Sequence, residues 1–302
     1  MRISIRFSKD AQSYAEAPTF CKRGQRCETR LTITPRASRL AHVTVSEAQN
    51  ESQMKSIIAL LVILLSSLGI TNTAAAGEAR AAVAANFTQA AKEISKLFES
   101  ETGNKISFSF GSTGQLYAQI SQGAPFDMFL SADQIRAQRA VTEGFAVPGS
   151  RFSYATGTLA LFSRSKDFVQ GKETLFTDHF TKIAIANPLT APYGAAALET
   201  IKALGGYEKS QPRLVQGNSI AQAYQFVYTG NAELGFVALS QIIGHNEGSR
   251  WVVPNRFHTP IAQDAVLLTR GAKNEAARAF LDFLKHPKAH AIMKRHGYDL
   301  GK

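Results

Sequence analysis

"KISFSFGSTGQLYAQISQG", residues Lys105–Gly123, decides the fold. Ile106, Phe108 and Phe110 alternate with polar residues, the period of a strand with one buried face. Leu116 and Ile120 then stand four apart, the spacing of a helix face, and Gly123 ends that helix. Between the two periods lies the turn Gly111-Ser112-Thr113-Gly114-Gln115. A strand that passes through a glycine turn straight into a helix is the repeating unit of an α/β fold. The turn has the character of an anion loop, yet it contains no lysine or arginine. Its spacing is not the G-x4-G-K-[ST] of a phosphate loop, nor the G-x-S-x-G of a nucleophile elbow.

The same grammar extends both ways. Upstream, a small apolar run at about Ala81–Ala85 reads as a buried strand, and Asn86–Thr88 as a turn. A helix follows with Ala91, Ile94, Leu97 and Phe98 at helical spacing, closed by Gly103. Downstream, "FDMFLSAD" is a third strand, with Asp133 placed to cap the next helix. A second β-α-β-α-β set comes next. It runs through "TGTLALFSR", "KIAIANP", the helix "AAALETIKALGG", "RLVQGNSI", a helix capped by Ser219 and ended by Gly230, "AELGFVAL" and a short helix in "SQIIGHNEG". "TPIAQDAVLLTR" is a long returning strand, and the helices "NEAARAFLDFLKH" and "PKAHAIMKRHGY" finish the chain, the second with Pro287 in its first turn. We expect two α/β lobes, each a mostly parallel sheet flanked by helices, with crossings near Tyr154–Thr158 and Thr259–Asp264. Lobe 1 would comprise 77–156 plus 262–302, and lobe 2 157–261.

The first 76 residues read differently. From Met54, a single cation (Lys55) precedes the apolar run Ile57–Ile70, and Ala74-Ala75-Ala76 precedes Gly77, the layout of a secretory signal peptide cleaved after Ala76. The apolar run is about 14 residues, short of the ~20 that span a bilayer. Residues 1–53 are polar, basic and aperiodic, and are expected to be an extension ahead of the true start at Met54. They carry nine Lys/Arg and five Asp/Glu, so with Lys55 removed as well the chain from Gly77 keeps 24 basic and 18 acidic residues of the 34 and 23 in the whole, a net of +6 instead of +11. No basic run in that part exceeds two residues, which argues against nucleic-acid binding. Both cysteines, Cys21 and Cys27, fall in the extension at a spacing unlike a zinc site, and no cysteine stands at the cleavage point to take a lipid. A soluble periplasmic monomer is expected.

Chemistry concentrates in four strand-to-helix turns: "AANFT", "FGSTG", "NPLTAPYG" and "QGNSI". In open α/β sheets ligands bind outside such strand ends, where helix N-termini offer free N–H groups to an anion. Any one of these turns is adequately explained as helix capping, but four of them, two from each lobe, point to one site. Neutral donors suit a fully ionised oxyanion. Enzyme readings are weaker: H-E-x-x-H is absent, His286 and His290 read as a surface cap, and Asp127, Asp133 and Asp264 lack a partner carboxylate. No catalytic residue, metal site or cofactor is expected.

These segments, with "GFAVPGSRFSYATGTLALFS" and "FLDFLKHPKAHAIMKRHGY", resemble in order and spacing the periplasmic molybdate-binding proteins of ABC transporters over residues 80–300. The resemblance implies a periplasmic-binding-protein fold of the second type, two lobes closing on a tetrahedral oxyanion, molybdate or tungstate, for delivery to a membrane permease. It further implies, as ligand donors, Asn86 through side chain and backbone, Ala85 through its backbone, Thr113 with Ser112 beside it, the Tyr193 hydroxyl and the backbone N–H of Ile220. Where some relatives carry a later tyrosine this chain has Ala238, so Tyr193 would supply that hydroxyl. Sulfate or thiosulfate is the alternative ligand, to be separated by cavity size, and a secreted α/β hydrolase the alternative class.

Overall fold

The computed structural model describes residues 76–244 and 247–301. The extension and nearly all of the segment read as a signal peptide lie outside the described residues.

The described chain forms two α/β lobes, each on a five-stranded sheet. In the first, β1 (Glu78–Ala84) lies between β2 (Lys105–Gly111) and β3 (Met128–Leu130), both parallel to it. β10 (Ile261–Leu267) runs antiparallel on the other side of β3, and β4 (Phe152–Gly157) closes that edge. The second sheet repeats the plan. β6 (Ile183–Ala186) sits between β7 (Leu214–Gly217) and β8 (Leu234–Ala238), all parallel, and then come antiparallel β5 (Leu159–Ser163) and edge strand β9 (Ser249–Val252). In each sheet the single reversed strand, β10 or β5, is the one on which the chain arrives from the other lobe.

β4 and β9 were not legible as strands. The run from 156 to 164 reads as one strand, but Thr158 breaks it into β4 and β5. There the chain leaves one sheet for the other: the Thr158 carbonyl accepts from Leu239 N (2.9 Å) and its hydroxyl donates to Gly297 O (3.3 Å). β9 pairs on one side only, and its residues are no more than half-buried, so its burial pattern is weak.

Helices cover both faces of the first sheet. α1 (Thr88–Thr102) and, from the chain's end, α8 (Glu275–Phe283) and α9 (Pro287–Arg295) bury Phe87, Ile94, Phe98, Met128, Leu130, Phe280 and Met293 on one face. α2 (Thr113–Ser121) and α3 (Gln134–Thr142) bury Leu116, Ile120, Phe129 and Val266 on the other. Adjacent Met128 and Phe129 go to opposite faces, as the two-residue period of a strand requires. Gly103 closes α1 with φ 74°, and Asp133 caps α3 by accepting from Arg136 N (2.7 Å), both as the sequence indicates. The second lobe gathers Leu159–Phe162, Ile183–Ala186 and Leu234–Val237 with α4 (Pro192–Ala203) and α6 (Ile220–Tyr228). Two short helices, α5 (Tyr207–Ser210) and α7 (Leu239–Ile242), complete it.

Strand register positions the site. β1 against β2 aligns Ala84 with Gly111, so the turns that follow, Ala85–Phe87 and Ser112–Thr113, emerge side by side. β6 against β7 aligns Ala186 with Gly217, doing the same for the turn before α4 and the turn before α6. α4 starts hard against the end of β6: a Cβ on Gly194 would overlap the carbonyl of Ala186. We expect Gly194→Ala to lower stability by about 1–3 kcal/mol, the usual cost of overpacking, read as a shifted urea midpoint at unchanged slope.

Candidate functional site

All six residues marked in the sequence line one cavity. Its wall is Ala84, Ala85 and Asn86 after β1, Gly111, Ser112 and Thr113 after β2, Ala132 after β3, Ala191, Pro192 and Tyr193 at the start of α4, and Ile220 at the start of α6. The space within this wall, part of it open to solvent, is about 200 Å³. That is room for a small ion and too little for an organic substrate.

No lining residue is charged. What the wall offers is donors. Thr113, Tyr193 and Ile220 stand in the first turns of α2, α4 and α6, where backbone N–H groups have no carbonyl a turn earlier to accept them. Three helix N-termini thus meet at one point, each with the positive end of its dipole. The hydroxyls of Ser112 and Tyr193 are buried, 3% and 2% exposed, and have no hydrogen-bond partner in the protein. A buried unpartnered hydroxyl costs about 1–3 kcal/mol, so two facing one small cavity mark a place where something else supplies the acceptor.

Two of the other marked residues have partners of their own. Thr113 Oγ1 accepts from Ala132 N (3.0 Å), which ties it to the loop after β3 and leaves its proton to donate, while the hydroxyl of Ser112, its neighbour, has no partner at all. The Asn86 amide is committed elsewhere: Nδ2 donates to Gln263 Oε1 (2.9 Å) and to Tyr298 OH (3.1 Å). The Asn86 backbone carbonyl accepts from Tyr298 OH (2.7 Å) and from Ser240 Oγ (2.9 Å) of the other lobe. With both amide hydrogens spent, Asn86 keeps only backbone groups for the cavity. Ala85 lines it with backbone and a methyl group.

Tyr193 reaches the cavity because Gly157 makes room. A Cβ on Gly157 would overlap the Tyr193 hydroxyl and stand 2.6 Å from Gln263 Nε2. Burial holds the Tyr193 phenol well above its ordinary pKa, with Tyr298 adding to the effect and the Gln263 and Asn86 amides opposing it. The group is therefore a neutral donor throughout the physiological range.

The lobes meet over the cavity. Gly114 N donates to Thr190 O (2.8 Å) and the Arg136 guanidinium to Leu189 O (2.8 Å) across its mouth. A larger groove, about 850 Å³ by the same measure, opens beside it, lined by the start of α3, by α4 and by Thr259–Ala262. It shares Ala132 and Pro192 with the cavity wall, and its charged groups are already engaged, Arg136 with Asp133 (2.6 Å) and Glu199 with Thr259 N (2.6 Å). Among the described residues no group of three His, Cys, Asp or Glu is placed to hold a metal ion.

The sequence reading missed Gln263, Tyr154, Tyr298, Ser240 and Gly157, which surround the cavity without lining it. One signal was available: two adjacent polar residues, Gln263 and Asp264, interrupt an otherwise apolar buried strand.

Comparison with known proteins agrees with this geometry. The profile of the bacterial extracellular solute-binding proteins matches residues 79–299. The chain is 54% identical to the molybdate-binding protein ModA of Rhodobacter capsulatus over 76% of its own length and 92% of that protein's. It is 47% identical to ModA of Azotobacter vinelandii over 82% of its length and all of that protein. The solved structure of the A. vinelandii periplasmic molybdate-binding protein superposes with a TM-score of 0.72 at 39% identity, over 74% of this chain and all of that one. The fold is therefore the two-lobe, type II periplasmic-binding-protein architecture, and the chain belongs to the bacterial extracellular solute-binding protein family.

Proposed function

We propose that this chain is the periplasmic receptor of an ABC transporter and captures molybdate, and with it tungstate, between its lobes. The observation that carries the reading is the cavity itself: small, uncharged, ringed by three helix N-termini and holding two unpaired hydroxyls. A tetrahedral dianion supplies what those groups lack, acceptors on every side and no proton to place. The names of the relatives at 54% and 47% identity support molybdate among such ions.

In this reading Ser112 and Tyr193 give hydroxyl donors. Ala85, Asn86, Thr113 and Ile220 give backbone N–H groups, and Thr113 also braces the loop. No bond is made or broken, so the protein acts as a receptor and not an enzyme. Sulfate has the same charge and shape but is smaller, and donors fixed on rigid elements reach it poorly. The lobes, 77–156 plus 262–302 and 157–261, open and close about the two crossings. The closed monomer presents the ion to its membrane permease. Segment 54–76 directs export as a signal peptide and is then cleaved off.

Calorimetric titration of the exported protein tests the reading. Molybdate and tungstate should bind at micromolar concentration or tighter and sulfate should not; equal affinity for sulfate, or no binding at all, refutes it. Ser112→Ala and Tyr193→Phe should each weaken molybdate by about 1.5–3 kcal/mol, the worth of a hydrogen bond to a charged group. Gly157→Ala should weaken it comparably without touching a donor, because the added methyl displaces the Tyr193 hydroxyl.

Affinity should also stay flat from about pH 6 to about pH 9. A phenol whose pKa is raised remains protonated past its ordinary value of about 10, so no donor is lost in that window. A titration of affinity centred inside it would mean that an ionising side chain, absent from the cavity wall, takes part.

A further inference from the structure

Gln263 is fully buried on β10, the strand by which the chain returns to the first lobe. Its Oε1 accepts twice, from Asn86 Nδ2 (2.9 Å) and from Tyr154 OH (2.9 Å). The Asn86 amide is itself fixed, since Tyr298 donates to the Asn86 carbonyl and so takes the Asn86 amide hydrogen on its oxygen. Reversing the Gln263 amide would set its own N–H groups against the Asn86 donor, so its orientation is determined. Its Nε2 end is then left buried and without a partner.

The Tyr193 hydroxyl is left in the same condition, and the two lie together. A Cβ on Gly157 would overlap one and stand 2.6 Å from the other. Backbone irregularity brings Gln263 there. The register of β10 on β4 slips between Gln263 and Asp264, and both consecutive side chains are fully buried. In a regular strand neighbours face opposite ways; a bulge re-aims a side chain, and bulges concentrate next to binding sites.

We propose that Gln263 is a positioning residue for the oxyanion: its Nε2 donates to the Tyr193 hydroxyl oxygen and so turns the Tyr193 proton into the cavity. The hydroxyl then faces the ligand as a donor and not as an acceptor, which favours an oxyanion that carries no proton. Asn86 and Tyr154 hold Gln263, Gln263 holds Tyr193, and Tyr193 holds the ion. This rests on the reading of the cavity as an oxyanion site.

A double-mutant cycle on the purified protein, titrated with sodium molybdate, separates the two ideas. Tyr193→Phe alone tests the site; if it leaves affinity unchanged, the oxyanion reading falls and the inference with it. Given a loss there, Gln263→Met should weaken molybdate about tenfold with Tyr193 present and less than about twofold in the Tyr193→Phe background, because it acts through that hydroxyl. Equal losses in both backgrounds, or no loss in the first, overturn the inference and leave the site reading standing. Melting curves establish that each variant is folded. Should Gln263→Met not fold, Gln263→Glu keeps the oxygen that serves Asn86 and Tyr154 and removes the donor. Its loss should exceed its loss in the Tyr193→Phe background by about tenfold, and equal losses overturn the inference.

Discussion

Two hydroxyls, on Ser112 and Tyr193, are sealed between the lobes with nothing in the protein to receive their protons. At about 1–3 kcal/mol each, that deficit is of the same order as the hydrogen bonds that close the cleft: Gly114 to Thr190, Arg136 to Leu189 and Ser240 to Asn86. In the proposed reading the lobes exchange between an open and a closed form. A ligand shifts such an equilibrium by its differential affinity for the two states. On that reading an oxyanion meets the hydroxyls and helix ends of both lobes only when the cleft is shut, so the bonds it gains on closing favour the closed form. The missing partners would then make closure depend on the ion.

Neutral donors can do this work because the architecture supplies the field. Each sheet puts two parallel strands in a register that ends them together, Ala84 with Gly111 and Ala186 with Gly217. The helices that follow consequently begin together, and α2, α4 and α6 point their positive ends at one small volume. A lysine there would attract any anion, including those with a proton. Dipoles held by backbone select by distance, since each is fixed to a strand end that cannot follow a smaller ion inward.

The plan of this arrangement was legible in the sequence, and the detail was not, for physical reasons. Alternation in "KISFSF" and helical spacing after Gly114 report burial directly, so the two β-α-β-α-β sets and the site turns could be read. β4 and β9 escaped because they are edge strands with mixed burial, and β4 runs on into β5 with only Thr158 between them. The six cavity residues were found through turn chemistry and resemblance, but their division of labour was not. Whether the Thr113 hydroxyl is also tied to a neighbouring loop depends on Ala132 N, which lies 19 positions away and donates to its oxygen. Whether the Asn86 amide serves the ligand depends on Gln263 and Tyr298, further still along the chain. Local pattern tells which side chains can donate; only the fold tells which donors are already spent.

Asn86 shows what that spending achieves. Its backbone lines the cavity, its side chain is tied to β10 and to Tyr298 near the chain's end, and its carbonyl takes a hydroxyl from Ser240 of the opposite lobe. One residue thus belongs at once to the ligand wall, the returning crossing and the interlobe contact. Tyr193 matches it from the other lobe, lining the cavity and resting its hydroxyl beside Gly157 on the outgoing crossing. The two crossing strands are therefore in contact with Asn86 and Tyr193, one from each lobe, both in the cavity wall. In the proposed hinge motion those residues would move with the crossings, and an ion that held them would hold the crossings. On that reading the coupling of site to hinge needs no longer pathway than this.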